Sequence, residues 1–195
     1  MKGSAMMFRL PSRNIAFVLA LDIAWSGALP AAAANLPRLE ADALGGNHVV
    51  LPTDAAGKPL VLLLAFTKEA EPDLKSWSRK LLEDRVAQGA VVYVVVVADR
   101  TAFVSRRHIR KMVEGAAVGS KEQINDNVLV TFNGAGWRTL VPPGDKNAAG
   151  VVVCDASGAV VYAKRARFTA ANLADVERAA KWATGVGEQR NRKLA

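Results

Sequence analysis

The stretch Gly57–Trp77, GKPLVLLLAFTKEAEPDLKSW, decides how the rest of the chain is read. Gly57-Lys58-Pro59 is a turn. It releases a continuous apolar run, Leu60–Phe66, short enough for a strand buried on both faces. The run stops at Thr67, and within a few residues the pattern becomes helical. Pro72 falls where a first helical turn tolerates a missing N–H. Leu74, Trp77, Leu81, Leu82 and Val86 then recur at helical spacing until Gly89 ends the element. The junction between such a strand and the helix that follows is where α/β proteins commonly place their chemistry. Here it holds Thr67, Lys68, Glu69, Ala70 and Glu71, with no cysteine, histidine or glycine cradle.

Working outward, Ala90–Ala98 (AVVYVVVVA) is the clearest strand, since Val and Tyr favour an extended backbone and the unbroken apolar run implies cover on both sides. A second helix is expected from Thr101 or Ser105, with Ile109, Met112, Val113 and Ala116 facing inward. Val128–Phe132 reads as a further strand. NGAGW and VPPGDKNAAG read as loops around a short piece at Trp137–Val141. A hairpin follows: Val151–Cys154, the turn Asp155-Ala156-Ser157-Gly158, and Ala159–Lys164. Thr169 is placed to cap a last helix whose Leu173, Val176 and Ala180 face inward. His48–Leu51 is a short strand candidate. A helical crossover makes the first two strands parallel, and a tight turn makes the late pair antiparallel. The expected architecture is an α/β three-layer fold, a mixed central sheet with helices on both faces.

The ends of the chain differ from its middle. Lys2, Arg9 and Arg13 precede the apolar run IAFVLALDIAWSGALP, which leads into AAAAN. That is the order of a secretory signal, with cleavage expected near Ala33 or Ala34. Asp22 lies inside the apolar run and works against a stable membrane anchor, the competing reading. The expected organisation is a signal peptide over 1–34, one domain over 35–185 and a basic flexible tail over 186–195. A periplasmic or secreted location follows from the signal. Of the 195 residues one is cysteine and two are histidine, and the net charge is +8. A single cysteine excludes an internal disulfide and a dithiol redox centre. A domain of this length buries enough surface to need no disulfide staple.

The element order, the GKP turn leading into LVLLLAF, and VVVCDASGAVVY near the end resemble the thioredoxin-like superfamily, in particular its peroxiredoxin and TlpA-like branches. The resemblance spans roughly Leu36 to Trp182. It implies a thioredoxin-like fold, a nucleophilic cysteine at the first helix N-terminus, where amides and the helix dipole stabilise a thiolate, and a cis-proline just before the late hairpin. This chain has Thr67–Glu71 at the first place and Asn147-Ala148-Ala149-Gly150 at the second. Pro142 and Pro143 come too early. The superfamily's redox activity is therefore not carried over. Phe66, Trp77 and the Val151–Tyr162 hairpin also resemble the ATP10-like assembly factors, which implies an assembly or binding role.

The remaining candidates are weighed on their chemistry. Cys154 sits in VVVCD among strand residues and is expected to be buried as a small hydrophobe. The alternative is a one-cysteine peroxidase or reductase, which needs exposure and a nearby cation. His48 and His108, far apart and without cysteine partners, do not make a zinc site. GAAVGSKE, Gly115–Glu122, has three residues between its glycines and Gly-Ser-Lys order, so it is not a phosphate loop. Glu69 and Glu71 complement a helix N-terminus, with Lys68 as their neutralising partner. Arg106, Arg107, Arg110 and Lys111 form a basic cluster, either a solvated helix face or a docking patch for an acidic protein or an anionic membrane surface. Nucleic acid is not expected, because the cluster lacks interleaved aromatics. Neither a cofactor nor a metal is expected.

Overall fold

All six residues of Leu60–Ala65 are buried, and the molecule is built around this strand. The computed structural model describes residues 34–83, 89–98 and 121–194. Among the described residues, seven strands form one sheet: β1 (Leu39–Ala43), β2 (His48–Leu51), β3 (Leu60–Ala65), β4 (Val91–Val97), β5 (Val128–Thr131), β6 (Gly150–Cys154) and β7 (Val160–Arg165). Their order across the sheet is β2-β1-β5-β4-β3-β6-β7. β3, β4 and β5 run parallel. β6 is antiparallel to β3, β7 to β6, and β1 to both β2 and β5. The helices are α1 (Glu71–Glu83), α2 (Lys121–Asn127), α3 (Ala135–Arg138) and α4 (Ala170–Leu194).

The period-2 alternation of β3 sorts its side chains between two cores. Val61, Leu63 and Ala65 pack with Leu74, Trp77 and Leu81 of α1 and with Val176 and Ala183 of α4. Leu60, Leu62 and Leu64 face the other way, toward Leu36, Leu39, Leu51, Val141 and Trp137 of α3. Helices thus lie on both faces of a mixed sheet, as the pattern of apolar runs requires. Each fully buried large side chain contributes roughly 1.5–3 kcal/mol over leaving it in water. With Leu62, Leu63, Leu64, Trp77 and Trp137 all at 1 % exposure or less, no staple is needed.

Local chemistry explains the elements that the sequence marked. In the β6–β7 turn, the Asp155 side chain accepts from the Ser157 and Ala159 N–H groups at 2.8 and 3.0 Å. Gly158 takes φ +85°, which a glycine adopts without steric cost. The Thr169 hydroxyl accepts from the Asn172 N–H at 3.1 Å and caps α4 as expected.

Four features differ from the sequence reading. β1 was not marked as a strand. Its inward residues are Leu39, Ala41 and Ala43, and two alanines give little strand signal. NGAGW is not all loop: Ala135–Arg138 is helical, because burying Trp137 at 1 % exposure outweighs the glycines' preference. β5 stops at Thr131, and Phe132 is 40 % exposed. α4 continues to Leu194, through the region read as a separate tail. Residues 1–33 of the signal peptide expected over 1–34, and the helix expected from Thr101 or Ser105, lie outside the described residues.

Candidate functional site

The β3–α1 junction is closed by hydrogen bonds to distant backbone. Lys68–Ala70 form one 3-10 turn before α1 begins at Glu71. Thr67 has the extended backbone of a cap, yet its hydroxyl donates to the Lys146 carbonyl instead of capping the turn. Lys68 and Glu69 are exposed, and Ala70 is fully buried. Glu71 pairs at 2.9 Å with Lys75, one turn along α1, so Lys68 is not its neutralising partner.

Behind this turn, Asp73 is 9 % exposed and ties two segments to α1. Its Oδ2 accepts from the Ala149 N–H at 2.8 Å, and its Oδ1 from the Phe168 N–H at 2.6 Å. Trp77 Nε1 donates to the Ala166 carbonyl at 3.3 Å, and its ring meets Phe168 edge-on at 5.2 Å. The residues before β6 and after β7 are thereby held against α1. The peptide entering this part of β6 joins Ala148 and Ala149, and the cis peptide among the described residues is Leu51–Pro52. Asp145 organises the same loop. The Asn147 backbone N–H, then the Arg167 guanidinium at 2.8 Å, hold its carboxyl below the usual range.

Cys154 lies at the other end of β3. It faces Leu60 in the β3–β6 register, so at ~3.3 Å per residue it is roughly 20 Å from Thr67. It is fully buried and lines a cavity of about 110 Å³ with Pro52, Ala55, Leu60 and Gly158. Burial, then the Asp155 carboxylate, push its thiol up to about 12. A reactive cysteine needs the opposite surroundings.

A cluster unmarked in the sequence lies at the carboxyl end of β3. The guanidinium carbons of Arg138 and Arg165 sit 5.7 and 5.2 Å from the centre of the Phe66 ring. With Val141, Pro142 and Pro143 they line a cavity of about 200 Å³. Gly150 makes room for the ring, since a Cβ there would stand 3.3 Å from Phe66 Cε2 and 3.2 Å from Val141 Cγ2. Phe66 was visible as a strand end, but no spacing rule connects positions 66, 138 and 165.

Comparison with solved structures identifies this architecture. A candidate thiol:disulfide interchange protein DsbE from Chlorobium tepidum superposes with a TM-score of 0.55, at 17% identity over 76% of this chain and 94% of that one. BsSco, a member of the Sco family of cytochrome c oxidase assembly proteins, gives 0.55 at 12% identity over 77% and 94%. The fold is thioredoxin-like. A second Chlorobium tepidum protein, a thiol:disulfide interchange protein of the thioredoxin family, gives 0.53 at 13% identity over 76% and 94%. No family model and no curated protein matches the sequence. On this thioredoxin-like frame, Thr67–Glu71 are together at the junction and Cys154 is remote from them. Arg106, Arg107, Arg110 and Lys111 lie outside the described residues. Among the described residues, no helix is long and apolar enough to cross a membrane, and no three His, Cys, Asp or Glu side chains come together to hold a metal.

Proposed function

We propose that this protein is a redox-inactive binding or assembly module on a thioredoxin-like fold, working in the periplasm or as a secreted protein. One observation carries the reading. The lone thiol is buried at the amino end of β3, while the junction at the carboxyl end is closed by Thr67, Asp73 and Trp77 and contains no sulfur. Thiol–disulfide exchange needs a thiolate that reaches its substrate, and neither end supplies one. An assembly role is the use to which the Sco family puts this architecture, and the basic, apolar and small-residue order of the N-terminus supports export. The basic cluster Arg106, Arg107, Arg110 and Lys111 supports docking to an acidic protein or an anionic membrane surface.

Disulfide-reductase and thiol-peroxidase assays on the purified protein test this directly, and no turnover is expected. Turnover that survives Cys154→Ser would overturn both the inactive reading and the one-cysteine alternative. Turnover abolished by that substitution, with rapid native labelling of Cys154 and a sulfenic product, would establish the alternative. Mass spectrometry of the exported chain checks cleavage near Ala33 or Ala34.

A further inference from the structure

We propose that Asn133-Gly134, in the connection between β5 and α3, is a self-modification site, where the folded chain deamidates to aspartyl and isoaspartyl forms without an enzyme. The site is independent of the binding role proposed above and of the state of Cys154, which belongs to β6.

The reaction needs two groups to meet. The main-chain nitrogen of Gly134 attacks the side-chain Cγ of Asn133, a C–N bond closes a cyclic imide, and the carboxamide nitrogen leaves as ammonia. Water then opens the imide. Cleavage at Cγ restores an ordinary backbone with an aspartate side chain. Cleavage at the main-chain carbonyl leaves the chain running through Cγ, which is isoaspartate. No electrons are exchanged, and the net change takes a carboxamide and water to a carboxylate and ammonium.

The structure leaves both reacting groups unengaged. Asn133 is exposed, and the hydrogen bond it makes runs from its main-chain N–H to Thr131 Oγ1 at 3.2 Å. Among the described residues its carboxamide has no partner, and neither has the Gly134 N–H. Packing requires the glycine, since a Cβ at residue 134 would stand 2.7 Å from Val97 Cγ1. The fold therefore keeps a residue whose nitrogen no side chain shields. Two other asparagines are guarded at both groups. Asn147 donates Nδ2–H to Asp145 Oδ1 at 2.9 Å, and the next N–H, of Ala148, is bonded to the Asp145 carbonyl at 3.0 Å. Asn172 donates Nδ2–H to the Arg167 carbonyl at 2.8 Å, and the Leu173 N–H is bonded to the Thr169 carbonyl at 2.9 Å. Each must open locally before a ring can close.

The isoaspartyl form lengthens the main chain by one carbon where there is no slack. Gly134 lies against Val97, and its carbonyl accepts from the Arg138 N–H at 2.9 Å. The same turn holds Trp137 in the core at 1 % exposure. Modification thus loosens α3 from the sheet.

The test incubates the purified protein at mildly alkaline pH, folded and in guanidinium, with mass spectrometry that separates aspartyl from isoaspartyl peptides. Folding should raise the rate at Asn133 relative to Asn147 by about tenfold or more, the factor implied by two net hydrogen bonds that guard only Asn147. A ratio that folding leaves unchanged or lowers would overturn the proposal, and this reading needs no substitution. As isoaspartate accumulates, the urea midpoint of the unsubstituted protein should fall. Asn133→Gln, which would have to close a larger ring, should show no conversion at this peptide and keep its midpoint. Fresh Asn133→Asp carries the new charge on an ordinary backbone and should unfold where the unmodified protein does. An equal loss in Asn133→Asp would assign the effect to charge and overturn the loosening of α3.

Discussion

The two ends of β3 are buried by the same sheet but solve different problems. At the amino end, Leu60 faces Cys154 in an apolar setting where a neutral thiol is an ordinary hydrophobic side chain. At the carboxyl end, backbone N–H groups from two other segments converge on Asp73, and two arginines gather at Phe66. Each end holds a buried carboxylate, Asp155 beside the thiol and Asp73 at the junction, and the carboxyl end also gathers two arginines on an aromatic ring. The comparison teaches that the surroundings of a side chain here, and with them the ionisation of the thiol, follow its position along one strand.

Exchanging the thiol between the two ends should give the largest effect. Lys68→Cys in a Cys154→Ala background places sulfur in the exposed turn, where a disulfide reagent should label it in the native state near pH 7.5. Cys154 in the unsubstituted protein should label about a thousandfold more slowly or worse, from thiolate fraction alone, until denaturant is added. Comparable native rates would erase the contrast.

Alkaline titration probes the amino end by another route. The folded state raises the Cys154 pKa from 9.0 to about 12, so it favours the neutral thiol. The resulting stability is fully present below pH 9 and is lost as pH rises toward 12, up to about 4 kcal/mol. Tyr93 and Tyr162, raised chiefly by burial, add losses of the same sign. Denaturant midpoints measured across this range should fall less steeply in Cys154→Ala. An unchanged slope would place the thiol in water.

Asp73→Ala breaks the carboxyl end. It strands the Ala149 and Phe168 N–H groups and should cost about 3 kcal/mol in urea unfolding, from roughly 1–3 for each. A loss below about 1 kcal/mol would mean that water replaces the carboxylate. Glu71→Gln should change stability least, by less than about 0.5 kcal/mol, because its pair with Lys75 is a partly exposed i,i+4 contact.

Much of this frame could be read in one dimension. Leu60–Phe66 and Ala90–Ala98 marked β3 and β4 because residues buried on both faces cannot alternate with polar ones. Asp155-Ala156-Ser157-Gly158 marked the hairpin because one aspartate and one positive-φ glycine complete the turn locally. β1 escaped because Ala41 and Ala43 signal little, and α3 because Trp137 draws a glycine-rich segment into the core. Thr67–Glu71 were legible as a junction, but Asp73, whose partners lie 76 and 95 residues away, was not.

By itself, then, the sequence determined the strand and helix periods and the count of one sulfur, because hydrophobic spacing and composition are properties of the chain. Tertiary structure alone decided where that sulfur lies relative to the junction, and which cations meet. Such distances depend on sheet order and register. A seven-strand order of β2-β1-β5-β4-β3-β6-β7 brings residues 66, 138 and 165 to one end while sending residue 154 to the other.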